Sequence, residues 1–334
     1  MLLDRNARGR PRSALFNGRR FAEPALGIAA TPSFTIGPRD AIYGVGSCFA
    51  RAVAYIMAHR GRPVTFGGLY HRYNVFNILQ TVRWALHGGF GPEHLIPLDD
   101  GRWFDPHGRE EAEFAYPTLE KGMELATAAL RDVGAAIRGA QVMVLTLGLV
   151  EVWRDNQTGA WLNLMPPRKH LPGFDARFSV HRTRQAENKA AILELFREVR
   201  SANPGLKIIC SVSPIPLRAT FCFDDVLVAT GYGKATLRSA LQEALDECRE
   251  RGIEHIDYFP SFEIVSMQRN NDVYKPVNKD GKPDHLHIRE DFLDRTVKRV
   301  FCKAYLQEER EAAAARVTAG RVGPAPAAEE RRAG

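Results

Sequence analysis

Two residue sets in this sequence have the types and spacing for bond-making chemistry. The first is a serine in Gly44-Val45-Gly46-Ser47-Cys48-Phe49-Ala50, where an apolar run ends in glycines and a helical pattern begins. Glycines allow a tight turn out of a strand. A serine at a helix start faces amide N–H groups that have no partner within the helix. That combination suits acyl transfer, in which the hydroxyl attacks a carbonyl and the amides stabilise the oxyanion. The second set is Asp284-His285-Leu286-His287, just before the last helical pattern. A serine hydroxyl needs a base, and an aspartate three residues before a histidine can hold the imidazole tautomer while the far ring nitrogen faces the serine.

Each set has other readings. Ser47 can be a helix N-cap, a common place for serine. A dinucleotide fingerprint does not fit, because Phe49 stands where the third glycine belongs and no acidic residue follows the second strand. A phosphate-binding Walker loop is excluded, since no Gly-Lys-Ser/Thr follows. Cys48 is a rival nucleophile, although free cysteine most often serves as a small buried hydrophobe. His285 and His287 could bind a metal as a pair, but a catalytic zinc needs three protein ligands and no second histidine cluster is present. The expectation is therefore no metal and no cofactor.

These residues must be positioned by strands and helices. Strands are expected at Ala41–Gly46, Pro63–Phe66, Gln141–Leu147, Leu206–Val212 and Glu254–Tyr258, and helices near 48–60, 75–87, 118–138, 184–202, 233–251 and 289–307. The helix at 184–202 meets a stop at Asn203-Pro204-Gly205. Continuous apolar strands such as VMVLTL and KIICSV suit a parallel sheet covered on both faces. Alternation of strand and helix predicts an α/β fold, a three-layer αβα sandwich with a mainly parallel central sheet. The stretch 88–117 reads as a loop over one rim of the sheet.

Composition sets the frame. The chain has 334 residues and a net charge of +7. Six arginines against one aspartate fall within residues 1–20, which leaves the rest near neutrality and argues against a nucleic-acid-binding fold. Residues 1–36 read as a basic, flexible arm, 37–308 as the catalytic domain, and 309–334 as a tail rich in Ala, Arg and Glu that can extend the last helix briefly and is disordered beyond it. The arm could touch nucleic acid or anionic lipid, though a solvated arm is the plainer reading. It is expected to be dispensable, so that a chain starting near Gly37 keeps its melting temperature. Five scattered cysteines without a C-x-x-C favour neither a disulfide framework nor a cysteine zinc site. No long apolar run and no secretory signal is read, and the expected compartment is the cytoplasm.

At Gly46-Ser47-Cys48-Phe49-Ala50 the chain resembles the GSCFA family, whose name is that motif. Further matching blocks are Tyr73-Asn74, Thr146 to Trp153, Ser211 to Leu217, Tyr258 to Val265, and Asp284 to His287, in order over about residues 40–290. The family is similar to SGNH/GDSL hydrolases. The resemblance implies a flavodoxin-like sandwich and hydrolysis or transfer of O-acyl groups, with acylated carbohydrate as a substrate class. It implies Ser47 as nucleophile, His287 as base and Asp284 as its orienting carboxylate. The SGNH turn G-x-N-D, whose asparagine donates to the oxyanion, is here Gly148-Leu149-Val150-Glu151, with valine in the asparagine's place. The backbone N–H of Cys48, the side chain of Asn74 and the backbone of Gly148 are the expected donors, Asn74 having a helix N-cap as its other reading. Glu151 is expected either to bind substrate hydroxyls or to hold the turn. Tyr70, Tyr73 and Trp153 could line a sugar-binding face or simply pack.

Overall fold

The computed structural model describes residues 24–28, 30–66, 71–108, 115–268, 273–278, 280–284 and 286–321. Five strands form a wholly parallel sheet: β1 (Ile42–Gly46), β2 (Val64–Phe66), β5 (Val142–Leu147), β8 (Lys207–Val212) and β9 (Ile256–Tyr258). All five lie within the runs expected from the sequence. Their order is β2-β1-β5-β8-β9, so the chain leaves β1 toward one edge and returns to place β5 on its other side. In such a sheet the crevice beyond the strand ends, where the order reverses, is the natural ligand site. Here it opens between β1 and β5.

Alternation within the strands builds two cores. On one face Tyr43, Val45, Met143, Leu145, Ile208 and Cys210 pack against α2 (Val75–His87), α3 (Leu119–Gly139), α5 (Gln185–Ala202) and α6 (Val226–Glu250). On the other, Ile42, Val142, Val144 and Ile209 meet α1 (Cys48–His59), α7 (Ser261–Ser266) and α9 (Arg299–Tyr305). The buried residues Phe49, Ala50, Val53 and Met57 give α1 the helical spacing of one apolar face. Helix α6 starts earlier than expected, at Val226, because Asp225 accepts hydrogen bonds from the amides of Leu227 and Val228. Exposed Leu227 and Val228 had hidden that start.

Two small antiparallel pairs sit outside the main sheet. One is β3 (Ile96–Pro97) with β4 (Trp103–Phe104), in the stretch read as a loop. The other is the hairpin of β6 (Glu151–Asp155) and β7 (Phe178–Arg182), with α4 (Phe174–Arg177) between its strands. The last helical region is broken into α8 (Glu290–Phe292), a π-helical turn at Leu293–Lys298, then α9 and α10 (Gln307–Arg321). No helix among the described residues is long and apolar enough to cross a membrane.

Within 24–28 and 30–36, part of the stretch read as an arm, Ala25, Phe34 and Ile36 belong to the second core, and Leu26 is 6% exposed. Ile36 donates its N–H to Tyr305 O at 2.7 Å and accepts from Gln307 N at 3.1 Å. At the other end, α10 carries the helical region through Arg321, a longer extension than the brief one expected past 309. The buried Arg62 guanidinium grips Glu308, with Nη2 2.8 and 2.9 Å from its two carboxylate oxygens. Residues 1–23 and 322–334, the remainder of the expected arm and tail, lie outside the described residues. A chain starting at Gly37 therefore loses Leu26, Phe34 and Ile36, worth about 1.5–3 kcal/mol each as an upper bound. Its thermal midpoint should fall by roughly 10 °C or more. A melt within a few degrees of the full chain would show that this packing contributes nothing in solution.

Candidate active site

Ser47 stands between β1 and α1, at the C-terminal end of the sheet where the strand order reverses. Gly46 makes the turn possible. Its φ of +123° suits glycine alone, and a Cβ there would lie 2.2 Å from Thr146 O. Ser47 N then donates to Thr146 O at 3.3 Å. Ser47 occupies the N-cap position of α1, but its side chain makes no capping hydrogen bond. It is 2% exposed, and its Oγ has no hydrogen-bond partner among the described residues. A buried hydroxyl without a partner costs about 1–3 kcal/mol, so it calls for a reason other than capping.

Neighbouring strands place more hydroxyls at this level. Gly46 pairs with Thr146 and Thr146 with Ser211, on the α1 face of the sheet. Thr146 Oγ1 is buried and, like Ser47 Oγ, has no partner among the described residues. Ser211 Oγ contacts Ser261 Oγ and donates to Phe259 O at 2.9 Å, while Ser261 Oγ reaches Val212 O at 3.1 Å. Sequence reading passed over this row. Its signal was a polar residue ending each apolar run, Thr146 in VMVLTL and Ser211 in KIICSV, and it acquires meaning only through strand register.

The distal pair is formed. His287 Nδ1 lies 2.9 Å from Asp284 Oδ1 and 3.0 Å from Oδ2. Asp284 Oδ1 also accepts the N–H groups of Leu286 and His287, both at 3.2 Å. Burial of the carboxyl would raise its pKa. The hydrogen bonds from the His287 ring, the His287 amide and the Leu286 amide outweigh that and hold it below the usual aspartate value. With Nδ1–H directed at a carboxylate, Nε2 is the nitrogen left to take a proton. His287 is exposed and lines a cleft of 540 Å³ with Phe49, Arg51 and Tyr55 of α1, Ile215 after β8 and Ser261 of α7. Ser47 is not on the wall of this cleft, and no hydrogen bond joins it to His287. The structure thus forms the Asp284–His287 pair and the Ser47 turn separately, without closing one on the other.

Three expected oxyanion or substrate residues are committed elsewhere. Asn74 is fully buried and caps α2: its Oδ1 accepts from Asn77 N at 2.8 Å, and its amide donates to Leu162 O at 3.0 Å and Asn163 O at 3.4 Å. It is a structural cap, not a free donor. Gly148 donates its N–H to Tyr73 O at 2.8 Å, which removes that amide from the count. Glu151 accepts from Thr220 Oγ1 at 2.5 Å and Phe221 N at 2.7 Å, so it ties the loop after β8 to β6. Trp153 packs edge-on against Phe174 and Phe221 in a third apolar cluster instead of lining a sugar face. Cys48 opens α1, leaving its amide in the helix's first turn. The side chain of Cys48, together with Tyr70 and His285, lies outside the described residues.

The role of Asn74 can be checked directly. Asn74→Ala removes a cap and leaves Leu162 O unpaired, which should cost roughly 2–4 kcal/mol of stability. Any ester turnover by the folded fraction should stay within about twofold. A fall in kcat of about 10²–10³, as for a lost oxyanion donor, would reinstate it at the reaction centre.

For metals, the described residues bring Asp99, Asp100 and His170 together, with ligand atoms within 4.8 Å of one another. These groups are already paired, Asp99 with His170 at 3.0 Å and Asp100 with Arg102 at 2.7 Å, and none of them lines the His287 cleft.

Comparison with known proteins gives a match to the GSCFA family over residues 41–299, which takes in the whole central sheet, Ser47 and the Asp284–His287 pair. No curated protein matches by sequence. Among solved structures, the chain is similar to a family two carbohydrate esterase from Clostridium thermocellum in complex with cellohexaose. The identity is 14% and the TM-score 0.33, over 87% of this chain and 67% of that one. It is also similar to an acetyl xylan esterase from the rumen bacterium Butyrivibrio proteoclasticus, at 11% identity and a TM-score of 0.34, over 82% of this chain and 64% of the other. The chain spans about two thirds of the length of these two proteins.

Proposed function

The chain belongs to the GSCFA family, and from that premise we propose that it is an O-acyl ester hydrolase or acyltransferase with Ser47 as nucleophile. The observation that carries this reading is the state of Ser47. It sits at the helix start without capping it, buried and without a partner, where the strand order reverses. A hydroxyl held this way is not explained by stability.

In the proposed reaction Ser47 Oγ attacks the ester carbonyl and passes its proton to His287 Nε2. Asp284 holds Nδ1–H and offsets the imidazolium charge. The oxyanion is met by the N–H groups of the first turn of α1, beginning with Cys48. His287 then returns the proton to the leaving alkoxide, and water or an acceptor alcohol takes the acyl group. Closure of the segment bearing His287 onto the Ser47 turn is part of the proposal, since catalytic hydrogen bonds are often long before substrate binds. Acylated carbohydrate is the substrate class to try first.

A second reading is a binding module that keeps the fold without the chemistry. Val150 in the place of the oxyanion asparagine favours it, as do Asn74 and the Gly148 amide, both committed elsewhere. Fluorophosphonate labelling of the full chain, followed by acetylated sugars and short p-nitrophenyl esters, separates the two. Labelling at Ser47 with turnover supports the esterase, and a protein inert to both supports the module.

A further inference from the structure

The cleft that His287 lines carries one charge without a match. Its wall holds three cations, Arg51 of α1, Lys275 and Lys298. Each lysine faces a carboxylate on the same wall. Lys275 Nζ lies 3.1 Å from Glu290 Oε1, and Lys298 pairs with Asp294, four residues before it. Arg51 is exposed, and its guanidinium has no hydrogen bond or ion pair among the described residues. Asp284 is not its partner: that carboxylate is turned to the His287 ring and to two amides, and it is not on the wall.

Arg51 belongs to both halves of the proposed site. Its N–H donates to Ser47 O at 3.4 Å, which puts it one helical turn, about 6 Å along the axis, beyond the nucleophile. It also lines the cleft of His287, on whose wall Ser47 itself does not appear. One turn further, Tyr55 is 63% exposed and lines the same cleft, on the face of α1 that Arg51 shares. A group held on Arg51 is thus anchored one turn from Ser47.

A guanidinium stays charged at any working pH, and its forked N–H groups match a carboxylate or a sulfate in two parallel hydrogen bonds. Both lysines of the wall are already neutralised. One negative charge therefore completes the balance of the cleft, a doubly charged phosphate exceeds it, and a neutral sugar leaves Arg51 unanswered. At 540 Å³ the cleft is within the range of small-ligand sites.

We propose that this cleft takes a sugar bearing a single negative charge, a uronic acid carboxylate or a sulfate, as the alcohol part of the ester, and that Arg51 binds that charge and sets the specificity. The proposal rests on the esterase reading of Ser47 and His287 and names its substrate class.

The first test needs no ester chemistry. The full chain is titrated calorimetrically with methyl glucuronide, glucose 6-sulfate, glucose 6-phosphate and neutral methyl glucoside. Methyl glucuronide or the sulfate should bind at least about fivefold more tightly than methyl glucoside and more tightly than the phosphate. Whichever of the two binds better identifies the acidic group. Arg51→Gln should bring the ratio of charged to neutral binding to about one, and Arg51→Lys should keep part of it. The second test is turnover of O-acetylated methyl glucuronide and methyl glucoside, where the charged ester should have the higher kcat/KM by a similar factor, the difference lying in KM. If no ester is turned over and Ser47 is not labelled, the esterase reading fails, and the titration still decides whether the cleft selects a negative charge. If esters are turned over but charged and neutral sugars are bound and cleaved alike, or if Arg51→Gln keeps the preference, the proposal is overturned and the esterase reading stands. Tighter binding of the phosphate than of both monoanions overturns it as well.

Discussion

Ser47→Ala should abolish fluorophosphonate labelling and lower ester turnover by about 10⁶-fold, the scale of losing a serine nucleophile. The same change should raise stability, because it removes a buried hydroxyl with no partner, worth about 1–3 kcal/mol. The pairing of these signs is what makes the test sharp. A serine kept as an N-cap does the reverse: its loss costs roughly 0.5–2 kcal/mol and leaves activity alone. Cys48→Ala should keep labelling. Thermal melts, mass spectrometry of the labelled protein and initial rates suffice. A destabilised Ser47→Ala protein that still reacts with the probe would end the nucleophile assignment.

The second large effect is expected at Asp284. Its carboxylate receives the His287 ring and two amides. In Asp284→Asn a side-chain NH₂ can take the place of an acceptor oxygen. The Nδ1 position then becomes the acceptor, and the ring proton moves to Nε2, the nitrogen needed as base. A loss of about 10⁴ in kcat follows by analogy with other triads. The pH dependence has a definite sign. The Asp284 pKa is lowered in the fold, so its contribution is fully present above the unfolded value of about 3.9 and is lost only as pH falls through the lower folded value. Asp284 accordingly stays ionised through mildly acidic conditions, and a loss of activity there belongs to another group. Inactivation by a chelator with recovery on adding zinc would replace the triad with a metal mechanism. A near-normal rate in Asp284→Asn would leave His287 without its orienting partner.

The two ends of the globular region show how a local reading goes astray. Phe34 and Ile36 lie in a stretch with no sustained periodicity, and contacts with His255, Tyr305 and Gln307, about 220 to 270 residues on, help give them a place in the core. The last helix is likewise tied at Glu308 by Arg62, from the loop before β2, and at Glu309 by Arg60, at the end of α1. None of these contacts leaves a trace in neighbouring residues. The arm was judged by its charge, and the burial that decides its stability comes from the far end of the chain.

By itself, the sequence determined the parts whose signal is local. Apolar runs marked all five parallel strands, periodic spacing marked the helices packed on them except the short α7, and Gly46-Ser47 and Asp284–His287 stood out as turn chemistry and i, i+3 geometry. The tertiary structure alone decided which polar groups remain available. Asn74, the Gly148 amide and Glu151 could each be available or committed by sequence, and each is bound to a backbone or side chain about 70 to 90 residues away, at Leu162, Tyr73 or Thr220. Ser47 could be a capping serine by sequence, and at the N-cap position its side chain makes no capping bond. The physical reason is that secondary structure follows from propensity and pattern over a few residues, whereas a donor or acceptor is satisfied by whatever the topology brings within about 3 Å. The hydroxyl row of Thr146, Ser211 and Ser261 exists only once that topology is set.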